Sequence, residues 1–111
     1  MTANKTLAEK YIDAVNGGDI RGLMALFAPN ATVLHPAGIF ADTDALANFY
    51  ETVVFAGMAV TEIERRFTDH DAEVVQIRAS STLAEPGQYV YAVDVFTIRD
   101  DVIERLEIYY R

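Results

Sequence analysis

The sequence predicts an α+β domain in which three N-terminal helices pack on a twisted, mostly antiparallel sheet. Apolar residues at helical spacing are confined to the first half of the chain, and β-favouring runs fill the second half. The turns between those runs are short enough to make hairpins. Helices segregated from strands argue for layered α+β packing rather than alternating βαβ units. At 111 residues, 51% hydrophobic and 23% charged, residues 1–111 are expected to form one domain. Folding at this length buries roughly 60–70% of the unfolded surface, enough for one core and one cavity.

The first helix is read from Leu7, Ala8, Tyr11, Ile12 and Val15, which share one face, and Asn16-Gly17-Gly18 stops it. Asp19 is placed to cap a second, shorter helix with the face Ile20, Leu23, Met24 and Phe27, ended by Pro29. Ala31 to His35 is a short β-favouring run cut off by Pro36, and is expected as an edge strand or strand end. The third helix starts at Asp42-Thr43-Asp44, carries the stripe Leu46, Phe49, Tyr50, Val53 and Val54, and ends at Gly57. From residue 58 three or four strands follow, with turns near Asp69-His70-Asp71, Glu85-Pro86-Gly87 and Asp100-Asp101.

The run Gln88 to Arg99 is apolar on both faces: Tyr89, Tyr91, Val93 and Val95 on one, Val90, Ala92, Phe96 and Ile98 on the other. Both faces must be covered, and three helices can blanket only one. The other is therefore expected to pack on a second copy, giving a homodimer through the sheet. Asp94 interrupts the second face, where an ionised, unpaired carboxylate is costly, so a partner or a raised pKa must compensate.

Nine basic against seventeen acidic residues leave a net charge of −8, which repels phosphate backbones and anionic membranes. Neither nucleic acid nor membrane is expected as a partner. The polar N-terminus lacks the layout of a signal peptide, and a cytoplasmic protein is expected. The absence of cysteine excludes disulfides, thiolate metal sites and cysteine nucleophiles. Glycine-rich phosphate loops, nucleophile elbows and helical His-Glu zinc motifs are missing too, and the Asp-His-Asp turn at His70 is explained by turn formation alone. No cofactor and no metal are expected.

What remains is acid–base chemistry in an apolar setting. Asp94 is either a structural carboxyl bonded to its surroundings or a neutral acid that donates to a developing oxyanion. His35, at a strand end, is either a loop histidine or a general base. Tyr11 and Tyr50 lie on buried helix faces, where a tyrosine is a core residue unless its hydroxyl has chemical work.

The segments Tyr11-Ile12-Asp13-Ala14-Val15, Gly18-Asp19-Ile20, Phe27 to Val33, Pro36-Ala37-Gly38 and Phe49-Tyr50 resemble the first half of bacterial ketosteroid isomerases. Ala92-Val93-Asp94-Val95 and Ile103 to Tyr110 match more loosely. The resemblance covers nearly the whole chain and places it in the NTF2-like or SnoaL-like superfamily. It implies a cystatin-like cone, a sheet curved around a long helix over a deep apolar pocket, usually dimeric. It also implies an oxyanion hole of Tyr11 and protonated Asp94, with Tyr50 orienting Tyr11. Two positions depart from the pattern: Phe27 replaces a further tyrosine, and His35 stands where the family has its aspartate base.

On this reading the chain is a cofactor-independent enzyme that moves a proton on an apolar carbonyl compound, most concretely a 3-oxo steroid. His35 would remove the α-proton, and Tyr11 with Asp94 would hold the enolate. Leu106, Ile108 and Tyr110, joined by Phe96 and Val54, would line the pocket. A SnoaL-like dehydratase or cyclase and a non-catalytic module that binds an apolar small molecule are the alternatives.

Overall fold

The computed structural model describes residues 5–81 and 85–111. Helix α1 (Leu7–Gly17) begins in a capping box, in which Thr6 accepts from the Glu9 backbone and the Glu9 carboxylate accepts from the Thr6 backbone. It ends at Gly18, whose φ of 62° is the left-handed conformation that glycine adopts without strain. Asp19 caps α2 (Ile20–Met24) by accepting from the Gly22 backbone. A Cβ on Gly22 would meet that capping carboxylate at 2.2 Å, so a larger residue there would make the Asp19 side chain shift.

The second helix is shorter than the sequence suggests. Phe27 opens strand β1 (Phe27–His35), and Pro29 lies inside that strand. No ladder donor is lost there, because the register against the neighbouring strand slips between Phe27 and Thr32 and leaves Pro29 in the irregular stretch. Nor is β1 an edge strand. It lies between β2 (Gly38–Phe40), a short strand absent from the sequence reading, and β6 (Val102–Tyr110).

Helix α3 (Thr43–Phe49) follows, capped by Asp42, so the three helices are not consecutive: the β1–β2 hairpin separates the third from the first two. Beyond Phe49 the helix widens into a π turn over Tyr50–Val54 and tightens again over Phe55–Gly57. The widened turn breaks the 3.6-residue period; Tyr50 at its start is wholly buried, while Val53 is half exposed.

Four strands complete the fold: β3 (Ala59–Asp69), β4 (Ala72–Ser81), β5 (Val90–Arg99) and β6. The six-stranded sheet has the order β2-β1-β6-β5-β4-β3, and every pair is antiparallel except β1 with β6. The β5–β6 turn holds Asp100 and Asp101 at φ of 53° and 63°, the two positive angles of a tight hairpin matched to strand twist. Further register slips at Ile63/Arg65 and Thr97/Ile98 let the long strands bend, so the sheet curves around α1. Along β5, Ala92, Asp94 and Phe96 face inward and are buried, while Tyr91, Val93, Val95 and Thr97 on the outer face stay partly covered in the single chain. No helix among the described residues is long and apolar enough to cross a membrane.

Candidate active site

Both ends of α1 are tied to the sheet, and this fixes what α1 presents to the interior. At its start the Ala8 backbone N–H donates to the buried Glu73 carboxylate on β4, at 3.1 Å. At its end the Asn16 amide donates to the Thr61 carbonyl at 2.9 Å and accepts from the Thr61 N–H at 2.8 Å, extending the edge of β3. Between these anchors Tyr11, Ile12 and Val15 face a cavity of about 460 Å³ enclosed by α1, the widened end of α3 and the concave side of the sheet. Ile77 and Ala79 of β4, Ala92 and Asp94 of β5, and Ile108 and Tyr110 of β6 supply much of the remaining wall.

The cavity is deep on one side and open on the other. Tyr11 and Asp94 are 4% and 2% exposed, whereas Tyr110, Val53 and Val90 at the rim are about half exposed. Asp94 pairs across the sheet with Val75 and Ile108, so apolar neighbours flank it. Its Oδ1 is buried without a hydrogen-bond partner among the described residues. Burial pushes its carboxyl up to about 7, because the charged form loses its hydration there.

The Tyr11 and Tyr50 hydroxyls lie 2.8 Å apart. Tyr50 is fully buried, and its hydroxyl has no other hydrogen-bond partner among the described residues. Its proton therefore goes to Tyr11, which leaves the Tyr11 proton free for the cavity. Phe27 packs edge-on against Tyr11 with ring centroids 6.3 Å apart and carries no hydroxyl, so the phenol chain starts at Tyr50. Burial, followed by the other phenol and Asp94, raises the Tyr11 pKa well above the ordinary range, and burial raises that of Tyr50. Both phenols stay protonated and act as donors.

His35 closes β1 beside the rim. Its Nδ1 accepts from the Ala37 backbone N–H at 3.0 Å, and its Nε2 lies 3.0 Å from the Tyr110 hydroxyl. Burial lowers its pKa, which favours the neutral ring. His35, Tyr11, Asp94 and Tyr110 thus line one cavity, with Tyr50 directly behind Tyr11.

Of the expected wall residues, Val54, Ile108 and Tyr110 line the cavity. Phe96 and Leu106 do not: both are fully buried and belong to the core beneath it. They share the concave face with Asp94 and Ile108, but lie further along their strands, where α1 covers the sheet. Phe96 meets the Tyr11 ring edge-on at 5.2 Å and supports it from below. Phe96→Ala is accordingly expected to cost about 3–5 kcal/mol of stability, read as a lower urea midpoint. The lining by Val53, Ile77, Ala79 and Val90, and the anchors Asn16 and Glu73, lay outside the sequence reading. Period-two alternation along β4 marks Ile77 and Ala79 as one face; nothing local marks the anchors.

Residues 8–106 match the family model described as the SnoaL-like domain. The chain belongs to the SnoaL-like family. This SnoaL-like chain is 32% identical over 88 residues, 78% of its length, to a protein of Streptomyces lasalocidi named epoxide hydrolase LasB. It spans only 31% of that protein. A crystal structure from Sinorhizobium meliloti, named as a candidate polyketide cyclase, is 29% identical with a TM-score of 0.82 over 92% of each chain. A candidate ketosteroid isomerase from Kribbella flavida has a TM-score of 0.81 over 95% of this chain and 75% of its own, at 18% identity, a likeness of fold alone. The NTF2-like, cystatin-like fold is shared with further solved structures.

Proposed function

We propose that this SnoaL-like protein is a cofactor-independent acid–base enzyme that opens or closes an oxygen ring on an apolar small molecule. The carrying observation is the buried Oδ1 of Asp94, without a hydrogen-bond partner among the described residues, in the cavity that Tyr11 also lines. Of the polar groups described above, both phenols and His35 are set as donors or already bonded, so Asp94 is the group left to accept a proton. A carboxyl near neutrality suits that task, since general-base efficiency is greatest when the pKa lies close to the working pH.

For a hydroxy-epoxide the step balances without an external reagent. Asp94 takes the proton of the attacking hydroxyl as the new C–O bond forms. The epoxide C–O bond breaks, and its oxygen, held by Tyr11, ends protonated once the proton on Asp94 is returned. The name of LasB and that of the Sinorhizobium relative support this direction.

Isomerisation of an apolar carbonyl compound is the second reading. It is favoured by the Tyr50–Tyr11 chain meeting Asp94 in one cavity, the arrangement that the resemblance to ketosteroid isomerases implies. There protonated Asp94 would donate to the enolate, but His35 as base would first have to give up the Ala37 N–H. A homodimer through the outer face of β5 belongs to either reading, and sedimentation equilibrium tests it.

The deciding assay offers the protein an apolar hydroxy-epoxide and, separately, a β,γ-unsaturated 3-oxosteroid. Ring opening or cyclisation is expected. Enone formation without epoxide turnover would establish the isomerase instead, and tight binding with no turnover of either would leave a binding module. Tyr11→Phe removes the donor and is expected to lower kcat about 10²–10³-fold, with a smaller loss for Tyr50→Phe.

A further inference from the structure

We propose that His35 is locked as a hydrogen-bond donor and makes Tyr110 a second proton-donating group of the cavity, opposite in role to Asp94. A backbone N–H can only donate, so the Ala37 amide fixes the lone pair of His35 on Nδ1. A neutral imidazole then carries its proton on Nε2, the atom that faces Tyr110 at 3.0 Å. The other tautomer would set two N–H groups against each other at Nδ1. The Nε2 proton goes to the Tyr110 oxygen, which must be the acceptor.

Tyr110 makes no other hydrogen bond among the described residues, and it lines the rim of the cavity. Its own proton is thereby directed away from His35 and is free for an oxygen atom of a bound molecule. Accepting a bond from an imidazole N–H polarises the phenol and strengthens it as a donor. The T-shaped contact of the His35 and Tyr110 rings, at 5.4 Å, and the packing of His35 on Phe49 at 4.9 Å hold this geometry. The lowered pKa of His35, caused by burial, agrees with a neutral ring.

The cavity then holds one donor at its deep end, Tyr11, and one at its rim, Tyr110, with the acceptor Asp94 in the same wall. It suits a substrate with oxygen atoms towards both ends of an apolar skeleton. Tyr110 is the group that touches substrate; His35 is a positioning residue that acts through it. The catalytic consequence rests on the acid–base reading above, whereas the tautomer does not.

The test therefore begins with the protein alone. Long-range ¹H–¹⁵N correlation spectra of the labelled protein near neutral pH are expected to show the His35 proton on Nε2 and a bare Nδ1. A proton on Nδ1 would overturn the proposal whatever the enzyme does. In the assay His35→Gln, which keeps an N–H near the Nε2 position and cannot serve as a base, is expected to retain kcat within about tenfold. His35→Asp would accept from Tyr110 and turn its proton away, with an expected loss of about a hundredfold, matched by Tyr110→Phe. The reverse order, with the aspartate active and the glutamine dead, would establish His35 as a base and refute the donor role. Should the wild type turn over neither substrate, the proposed function fails while the spectra still decide the tautomer.

Discussion

Asp94→Asn is expected to lower kcat by about 10²–10⁴-fold while leaving substrate affinity nearly unchanged. The amide has the shape of the carboxyl and can still donate a hydrogen bond, but it cannot take a proton. The variant therefore separates the two roles open to this residue. As a proton acceptor, Asp94 cannot be replaced by asparagine. As an oxyanion donor it can be in part, and the loss would be small. The pH dependence supplies an independent sign. With the carboxyl at about 7, an acceptor role makes kcat rise as pH increases through that value, and a donor role makes it fall. Steady-state rates of both proteins across that range decide between them.

The same substitution is expected to flatten the dependence of stability on pH. In the unfolded chain the carboxyl ionises near its ordinary value of 3.8, while in the fold it holds its proton to about 7. Below the lower value both states are protonated and burial of the group costs nothing in proton terms. As pH rises between the two values the unfolded state loses its proton first, so stability falls, and above the upper value the full cost is present. Three pKa units correspond to about 4 kcal/mol. Urea unfolding at about pH 4 and about pH 8 is therefore expected to show a drop in the wild type that exceeds that of Asp94→Asn by up to about 4 kcal/mol. Equal slopes in the two proteins would mean that the carboxyl is solvated in the fold.

These opposing effects explain why the residue stands out in the sequence. A carboxylic acid in the middle of a strand whose other inward positions are Val90, Ala92 and Phe96 breaks the local rule for a buried strand, and such breaks mark functional positions. Tyr11 and Tyr50 were legible for a different reason, because helical spacing placed both on buried faces. The layered α+β order and the run of C-terminal strands, expected as three or four, were legible from periodicity and turns.

What failed did so where tertiary context overrides local signals. Pro29 reads as a helix stop, yet the bulge in β1 removes the hydrogen bond that a proline would break. Phe96 and Leu106 share a face with the cavity, but how far α1 reaches along that face depends on anchors at Asn16 and Glu73, and no local pattern announces them. The π turn at Tyr50–Val54 likewise cannot be read from apolar spacing. The surroundings of His35 are equally hidden from the sequence: residue type and the position before Pro36 suggest a base, and no local pattern announces that the Ala37 amide, two residues on, donates to its Nδ1 in the fold.

The account depends on Asp94 being a dry, unpartnered carboxyl within the cavity, and a site-resolved titration of its side-chain carbon by ¹³C NMR measures this most directly. A midpoint of about 7, moved by a ligand that fills the cavity, is the predicted result. A midpoint at the ordinary value of 3.8, unmoved by ligand, would contradict it.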